Sequence, residues 1–265
     1  MRNIILIAIF VAVTGCANSP ETPKAIYKWE RLTYSNTAVA AADSTAVFAL
    51  VFQDKNAGWF NKRNLENEGE YRHRLAKAGE GVTGQEFTFL IVQDDVEVKA
   101  DPDALRYSVK IKESLGSKVT VQNTSQYGAI HNMQNALGAQ IQVQTIEVFE
   151  QNLDIGDFEK LPPQLMIPYK SIGITVQFSQ SQKDQDSMFR NLIENKMLGF
   201  AIRGKIGDIS KSSKRHYEST PTFDSPRIFI TEIEDLPFDI EEVSLVARSQ
   251  KSNEFNRLLG YAKPR

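Results

Sequence analysis

One thiol and three imidazoles are all the chain offers by way of soft nucleophiles and neutral-pH bases: Cys16, His73, His131 and His216 in 265 residues. The three histidines are far apart in sequence, with no His-x-x-x-His or His-Glu-x-x-His spacing, so a zinc site has no sequence support. A triad can be assembled in space from distant residues, but no Gly-x-Ser-x-Gly elbow marks a nucleophilic serine. Carboxylates cluster at Asp94-Asp95, at Asp101 with Asp103, at Glu232-Glu234-Asp235 and at Glu241-Glu242. Facing pairs of carboxylates hydrolyse glycosides. These clusters, however, each lie in or beside an expected turn, where Asp is found on conformational grounds. Asp94, Asp95, Asp101 and Asp103 could make a loose calcium site, without EF-hand spacing. No catalytic residue, metal or cofactor is assigned.

Two further groups point to binding. Arg203, Lys205, Lys211, Lys214 and Arg215 make 203–215 locally basic, with Asp208 the one acid; such a stretch suits anionic lipid or polysaccharide, or is a solvated loop. Trp59 and Phe60 lie between Gly58 and Asn61, so a turn could expose them as a contact for protein or sugar; the alternative is a core plug. The possible binding surface is therefore Trp59, Phe60, Arg203, Lys205, Lys214 and Arg215. Gly199-Phe200-Ala201-Ile202-Arg203-Gly204-Lys205-Ile206 has the glycine and lysine spacing of a phosphate-binding P-loop. It ends in Ile206, where a magnesium-binding hydroxyl is required, and it reads as a strand. Nucleotide binding is rejected on both counts. Net charge is −2, which gives no electrostatic case for nucleic acid.

Cys16 carries the sharpest chemistry. The chain opens Met1-Arg2-Asn3 and continues with ten apolar residues, 4–13, one cation and a core of signal-peptide length. A helix of that run rises about 15 Å, roughly half a hydrocarbon core. Val13-Thr14-Gly15-Cys16 then resembles the lipobox of bacterial lipoproteins: an apolar residue, two small ones and a cysteine. The resemblance covers these sixteen residues only, and Val13 replaces the more usual Leu. It implies that the Cys16 thiol is alkylated by a diacylglycerol and that the chain is cut before it. A thiolate is the best nucleophile among side chains, and two or more acyl chains anchor a protein where one binds only reversibly. The rival reading is an ordinary signal peptide, or a buried strand, with an incidental cysteine. Ala17 after the cysteine implies the outer membrane, facing the periplasm.

The elements that must position everything else read as mainly β, an α+β chain of antiparallel β-sandwich-like domains with two or three short helices. Residues 1–15 are expected to be the lipoprotein signal peptide and 16–25 the lipidated cysteine with a flexible, proline-containing tether. Residues 26–150 form a β-rich domain; 165–265 form a second, with helices near 187–198 and 252–262. The stretch 151–164, with Leu161-Pro162-Pro163, is the boundary. Strands are expected at 47–52, 87–92 and 96–98 (the last two as a hairpin), 105–111, 141–148, 172–178, 227–234 and 243–248. Residues 131–137 are expected to form a short turn of helix.

These readings together describe a membrane-anchored envelope lipoprotein with a non-catalytic interaction or assembly role. Its partner would be another envelope protein or a polysaccharide. The alternatives are a lipid or glycolipid carrier with an apolar cavity, and an envelope hydrolase.

Overall fold

The computed structural model describes residues 30–33, 38–52, 65–112, 114–115, 117–134, 138, 140–156, 161–167, 171–222, 225–249 and 254–263. The lipobox, the tether and the Trp59-Phe60 pair lie outside them. In chain order the elements are β1 (Glu30–Thr33), α1 (Ser44–Phe52), α2 (Glu68–Ala78), β2 (Glu86–Val92), β3 (Val96–Asp101), β4 (Arg106–Ile111) and β5 (Ser114–Leu115). They continue with β6 (Lys118–Gln134), β7 (Gln140–Asp154), β8 (Met166–Ile167), β9 (Ser171–Gln177), α3 (Lys183–Glu194), β10 (Leu198–Ile206), β11 (Ser213–Glu218), β12 (Arg227–Arg248) and β13 (Phe255–Ala262).

The chain is mostly antiparallel β, and its described residues form a nine-stranded and a four-stranded sheet. The large sheet is organised on β12. Its first half pairs with β7, in parallel, and with β11; its second half pairs with β10 and β13. Pro237 stands where the neighbours change. Proline has no N–H for a ladder, yet its carbonyl still accepts the Gly207 N–H at 2.8 Å. The strands expected at 227–234 and 243–248 are thus one continuous strand of 22 residues. The small sheet runs β3-β4-β9-β8. One core cluster joins Phe89 and Ile91 of β2, Phe200 and Ile202 of β10 and Leu245 of β12 with Val109 of β4 and Ile174 of β9.

Both sheets mix strands from either side of 151–164: β2 pairs with β10, and β4 with β9. Residues 151–154 are themselves strand, paired with β12. The prolines lie beyond them, so they do not interrupt β7.

Four local expectations are corrected. Residues 47–52 form helix α1, not a strand. The Asp43 carboxylate accepts the Thr45 N–H and caps the first turn, and Val47, Phe48, Val51 and Phe52 are its buried residues. Residues 255–262 form strand β13, not a helix, inserted between β1 and β12. A Cβ at Gly260 would stand 2.5 Å from Ser244 Oγ, so glycine permits this close strand approach. Residues 96–98 do not fold back on β2: a 3-10 turn at Gln93–Asp95 passes the chain to the other sheet. Residues 131–134 continue β6 rather than forming a helical turn.

Helix α3 begins four residues earlier than expected. Asp186 does not cap it; it is buried and accepts hydrogen bonds from Tyr107 and Arg190. Gly199 does not end it either, since the helix stops before Asn195. Gly199 belongs to β10, where a Cβ would lie 2.7 Å from Ile91 O. Among the described residues no helix is long and apolar enough to cross a membrane.

Candidate interaction surface

Strands β6 and β7 run on past the core. Val119, Leu153 and Leu236 are fully buried at their base, but β6 is exposed from Asn123 to its end. With the first half of β12 and with β11 they form a four-stranded wing, ordered β6-β7-β12-β11. Residues paired across strands share a face, so the register defines what each side presents.

One face starts, next to the core, with an ion network. Asp235, buried in β12, accepts from Lys118 Nζ at 2.7 Å, Arg215 Nη2 at 2.7 Å, Ser213 Oγ at 2.8 Å and Asn152 Nδ2 at 3.2 Å. Burial pushes this carboxyl up, but the hydrogen bonds from Lys118, Ser213 and Asn152 outweigh it and hold the group below the usual aspartate value. Outward along the same face come Val148, Thr231 and Tyr217, then the row Tyr127–Ile146–Phe229 across three strands. Tyr127 is 72 % exposed, Tyr217 50 % and Phe229 38 %, and Ile146 between two of them is buried. Arg215 stands over the Tyr217 ring, 6.0 Å from its centroid. Its Nε is buried and has no hydrogen-bond partner among the described residues.

The other face is more polar. Lys214 lies 3.2 Å from Glu234 and 3.5 Å from Glu232, and Gln151 donates to Glu234 at 3.1 Å. Burial lowers the Lys214 pKa, but Glu234 and Glu232 raise it by more, so the ammonium is held charged. Beyond them Thr124, Gln126, Phe149 and Ile230 line an open groove of about 340 Å³. A second open cleft, about 390 Å³, lies between α2 and β11 and is lined by Tyr71, Arg72, Lys211, Ser212 and Lys214.

The residues singled out from sequence are dispersed by this geometry. Lys214 and Arg215 alternate, so they point to opposite faces of the wing. Arg203 and Lys205 lie on β10, away from the wing. Arg203 bonds Glu242 at 3.0 Å and Glu86 at 2.7 Å, and Lys205 lies 2.8 Å from Glu241; these pairs tie β2, β10 and β12 together. The glycines of the P-loop-like stretch serve the same strand: a Cβ at Gly204 would stand 2.2 Å from Asp239 O. The clusters at 232–235 and 241–242 are inside β12 rather than in turns.

His73 on α2, His131 on β6 and His216 on β11 are all exposed. His216 alone has a carboxylate near it in the described structure, Glu232 at 3.8 Å. Among the described residues no three His, Cys, Asp or Glu side chains gather as a metal set. Three concavities lined by described residues are open and have both polar and apolar groups in their walls.

Sequence reasoning missed the wing. Its aromatic residues sit singly in Gln-, Thr- and Ser-rich strands, and only the register assembles Tyr127, Ile146 and Phe229 into a row. No family model, no curated protein and no solved structure matches the chain.

Proposed function

We propose that the protein is a lipid-tethered envelope protein that acts by binding, with the aromatic face of the wing as its contact surface. The observation that carries this is the row Tyr127–Ile146–Phe229. Its rings, that of Tyr127 largely exposed and that of Phe229 in part, stand on strands that extend beyond the core. Tyrosine beside arginine is the composition of interface hot spots, and exposed apolar patches of this kind mark interaction sites. The Asp235 network stiffens the base of the surface, so little order has to be gained on binding.

The partner is another envelope component, protein or polysaccharide, held within reach by acyl chains on Cys16. The tether rests on the lipobox resemblance. Its test is mass spectrometry of the N-terminal fragment from the native host. Diacylglycerol on Cys16 at the mature N-terminus is the expected result; an unmodified Cys16, or another N-terminus, refutes the tether. The contact surface is tested separately by Phe229→Glu, which should leave the protein folded and at the membrane but without its partner. Unchanged partner recovery refutes the surface.

A further inference from the structure

The cleft between α2 and β11 has a wall on each side. On α2, Glu68, Tyr71 and Arg72 follow the spacing of one helix face. Opposite them stand the 3-10 turn Ile209–Lys211, Ser212 at its end, and the start of β11. Helix and turn touch: a Cβ at Gly79, which ends α2, would stand 2.7 Å from Ile209 Cδ1.

Three cations, Arg72, Lys211 and Lys214, line the cleft against one carboxylate, Glu68. The Arg72–Glu68 pair, at 3.0 Å, has both side chains mostly in solvent, which leaves it weak. Hydrogen bonds from Ser210 hold the Asp208 carboxyl below the usual aspartate value, and Lys211 and Arg72 add to this, so both cations bear on the same turn. The serines of the lining differ. Ser210 bonds Asp208, and Ser213 donates to Asp235. Ser212 is 7 % exposed, and its hydroxyl is buried with no hydrogen-bond partner among the described residues. Folding leaves such a group unsatisfied at a cost; an occupant of the cleft that bonds it removes the cost.

We propose that this cleft binds an acidic sugar unit of a polysaccharide, a ring that carries hydroxyls and one carboxylate. The cations take the carboxylate in charge-assisted hydrogen bonds. Glu68 accepts from sugar hydroxyls, which a fully ionised inorganic anion does not have. Ser212, donor and acceptor at once, serves a hydroxyl on the same ring. Tyr71 adds an apolar body with a polar tip, which suits a sugar better than a bare ion. The volume, about 390 Å³, is that of a small-ligand site, and an open cleft lets a polymer continue past it. Lys214 points away from the aromatic face of the wing, so the proposal rests neither on that surface nor on the lipid tether.

The test titrates the full chain, in detergent, by calorimetry. The probes are trigalacturonate and sialyllactose, their neutral counterparts trigalacturonate methyl ester and lactose, and inorganic phosphate. At least one acid should bind, about ten-fold or more tighter than its neutral counterpart and than phosphate, and less tightly as salt rises. Lys211→Glu should weaken that binding about ten-fold or more. Ser212→Ala should weaken it about three-fold or more and leave the melting temperature of the free protein unchanged or raised, because no bond within the fold is lost. Failure of both acids to bind overturns the proposal. So does equal binding of the neutral sugars or of phosphate, or binding that either variant leaves undiminished. A lower melting temperature in Ser212→Ala also overturns it, since the hydroxyl would then be satisfied by the fold itself.

Discussion

The Tyr107 hydroxyl donates to Asp186 Oδ1 at 2.5 Å, with both residues buried. This bond ties α3 to β4 of the small sheet, under the rings of Phe178 and Phe189. The second oxygen of Asp186 takes Arg190 Nε at 2.8 Å. Tyr107→Phe keeps the ring packing and removes only the donor. It is expected to cost about 1–3 kcal/mol, the range for leaving a buried acceptor short of a partner. Chemical denaturation of the variant checks this. Burial, followed by the hydrogen bond to Asp186, raises the Tyr107 pKa above its ordinary 10.0. The bond's stabilisation is therefore complete below pH 10 and lost as pH rises through the folded-state value. The alkaline loss should be smaller in Tyr107→Phe.

At the opposite end of the pH scale Asp235 governs. Its pKa lies below 3.8 in the folded protein, so its contribution is present above that value and fades as pH falls through the folded-state value. Asp235→Asn removes the charge that Lys118 and Arg215 share. A buried pair broken on one side costs about 3–5 kcal/mol. Both cations are more than a third exposed, and solvent screening brings the expectation to about 1–3 kcal/mol. Acid titration of thermal stability should show the wild type losing more than the variant below pH 3.8.

Gly204→Ala should be among the most damaging single changes. The added methyl meets the Asp239 carbonyl at 2.2 Å and the Phe238 ring at 2.8 Å, in backbone held from both sides by β2 and β12. Overpacking of this kind costs about 1–3 kcal/mol or more. A melting-temperature drop several times that of Gly69→Ala checks it, since Gly69 faces only the Asn67 side chain at 3.3 Å.

The legible part of the fold was the strands that cover a core on one face. The alternation Tyr107, Val109, Ile111 against Ser108 and Lys110 located β4, and the 172–178 pattern located β9. Apolar runs were ambiguous because a run that is apolar on its exposed face too shows no period: 47–52, with Leu50 apolar although 47 % exposed, could be strand or helix, and the Asp43 cap decided it. Residues 255–262 have a helical apolar spacing, but partners on both sides made them a strand, a preference that no local pattern records. The helix α2 was announced by Asn67 and Glu70, whose reciprocal capping bonds are both present, and the cue was passed over. The basic stretch 203–215 looked like one patch only because sequence ignores strand alternation. The parallel pairing of β7 with β12 has no local cue at all, and it is what builds the wing.

On the wing, Phe229→Glu and Tyr127→Glu should separate binding from folding. Fully burying an aromatic ring contributes about 1.5–3 kcal/mol, so partner affinity should fall about ten-fold or more. Stability should move by about 0.5 kcal/mol or less in Tyr127→Glu, as for exposed sites away from special features, and by more, about 1 kcal/mol, in Phe229→Glu, whose ring is only 38 % exposed. Affinity measured beside denaturation midpoints checks both halves.

The most direct measurement is site-specific photocrosslinking in intact cells, with the photoreactive residue at position 229 or at Lys99. Lys99 is exposed on the other sheet and serves as the control. The account predicts a discrete covalent adduct from position 229, weakened by Tyr127→Glu, and none from position 99. No adduct at 229, or the same adducts from both positions, would contradict it.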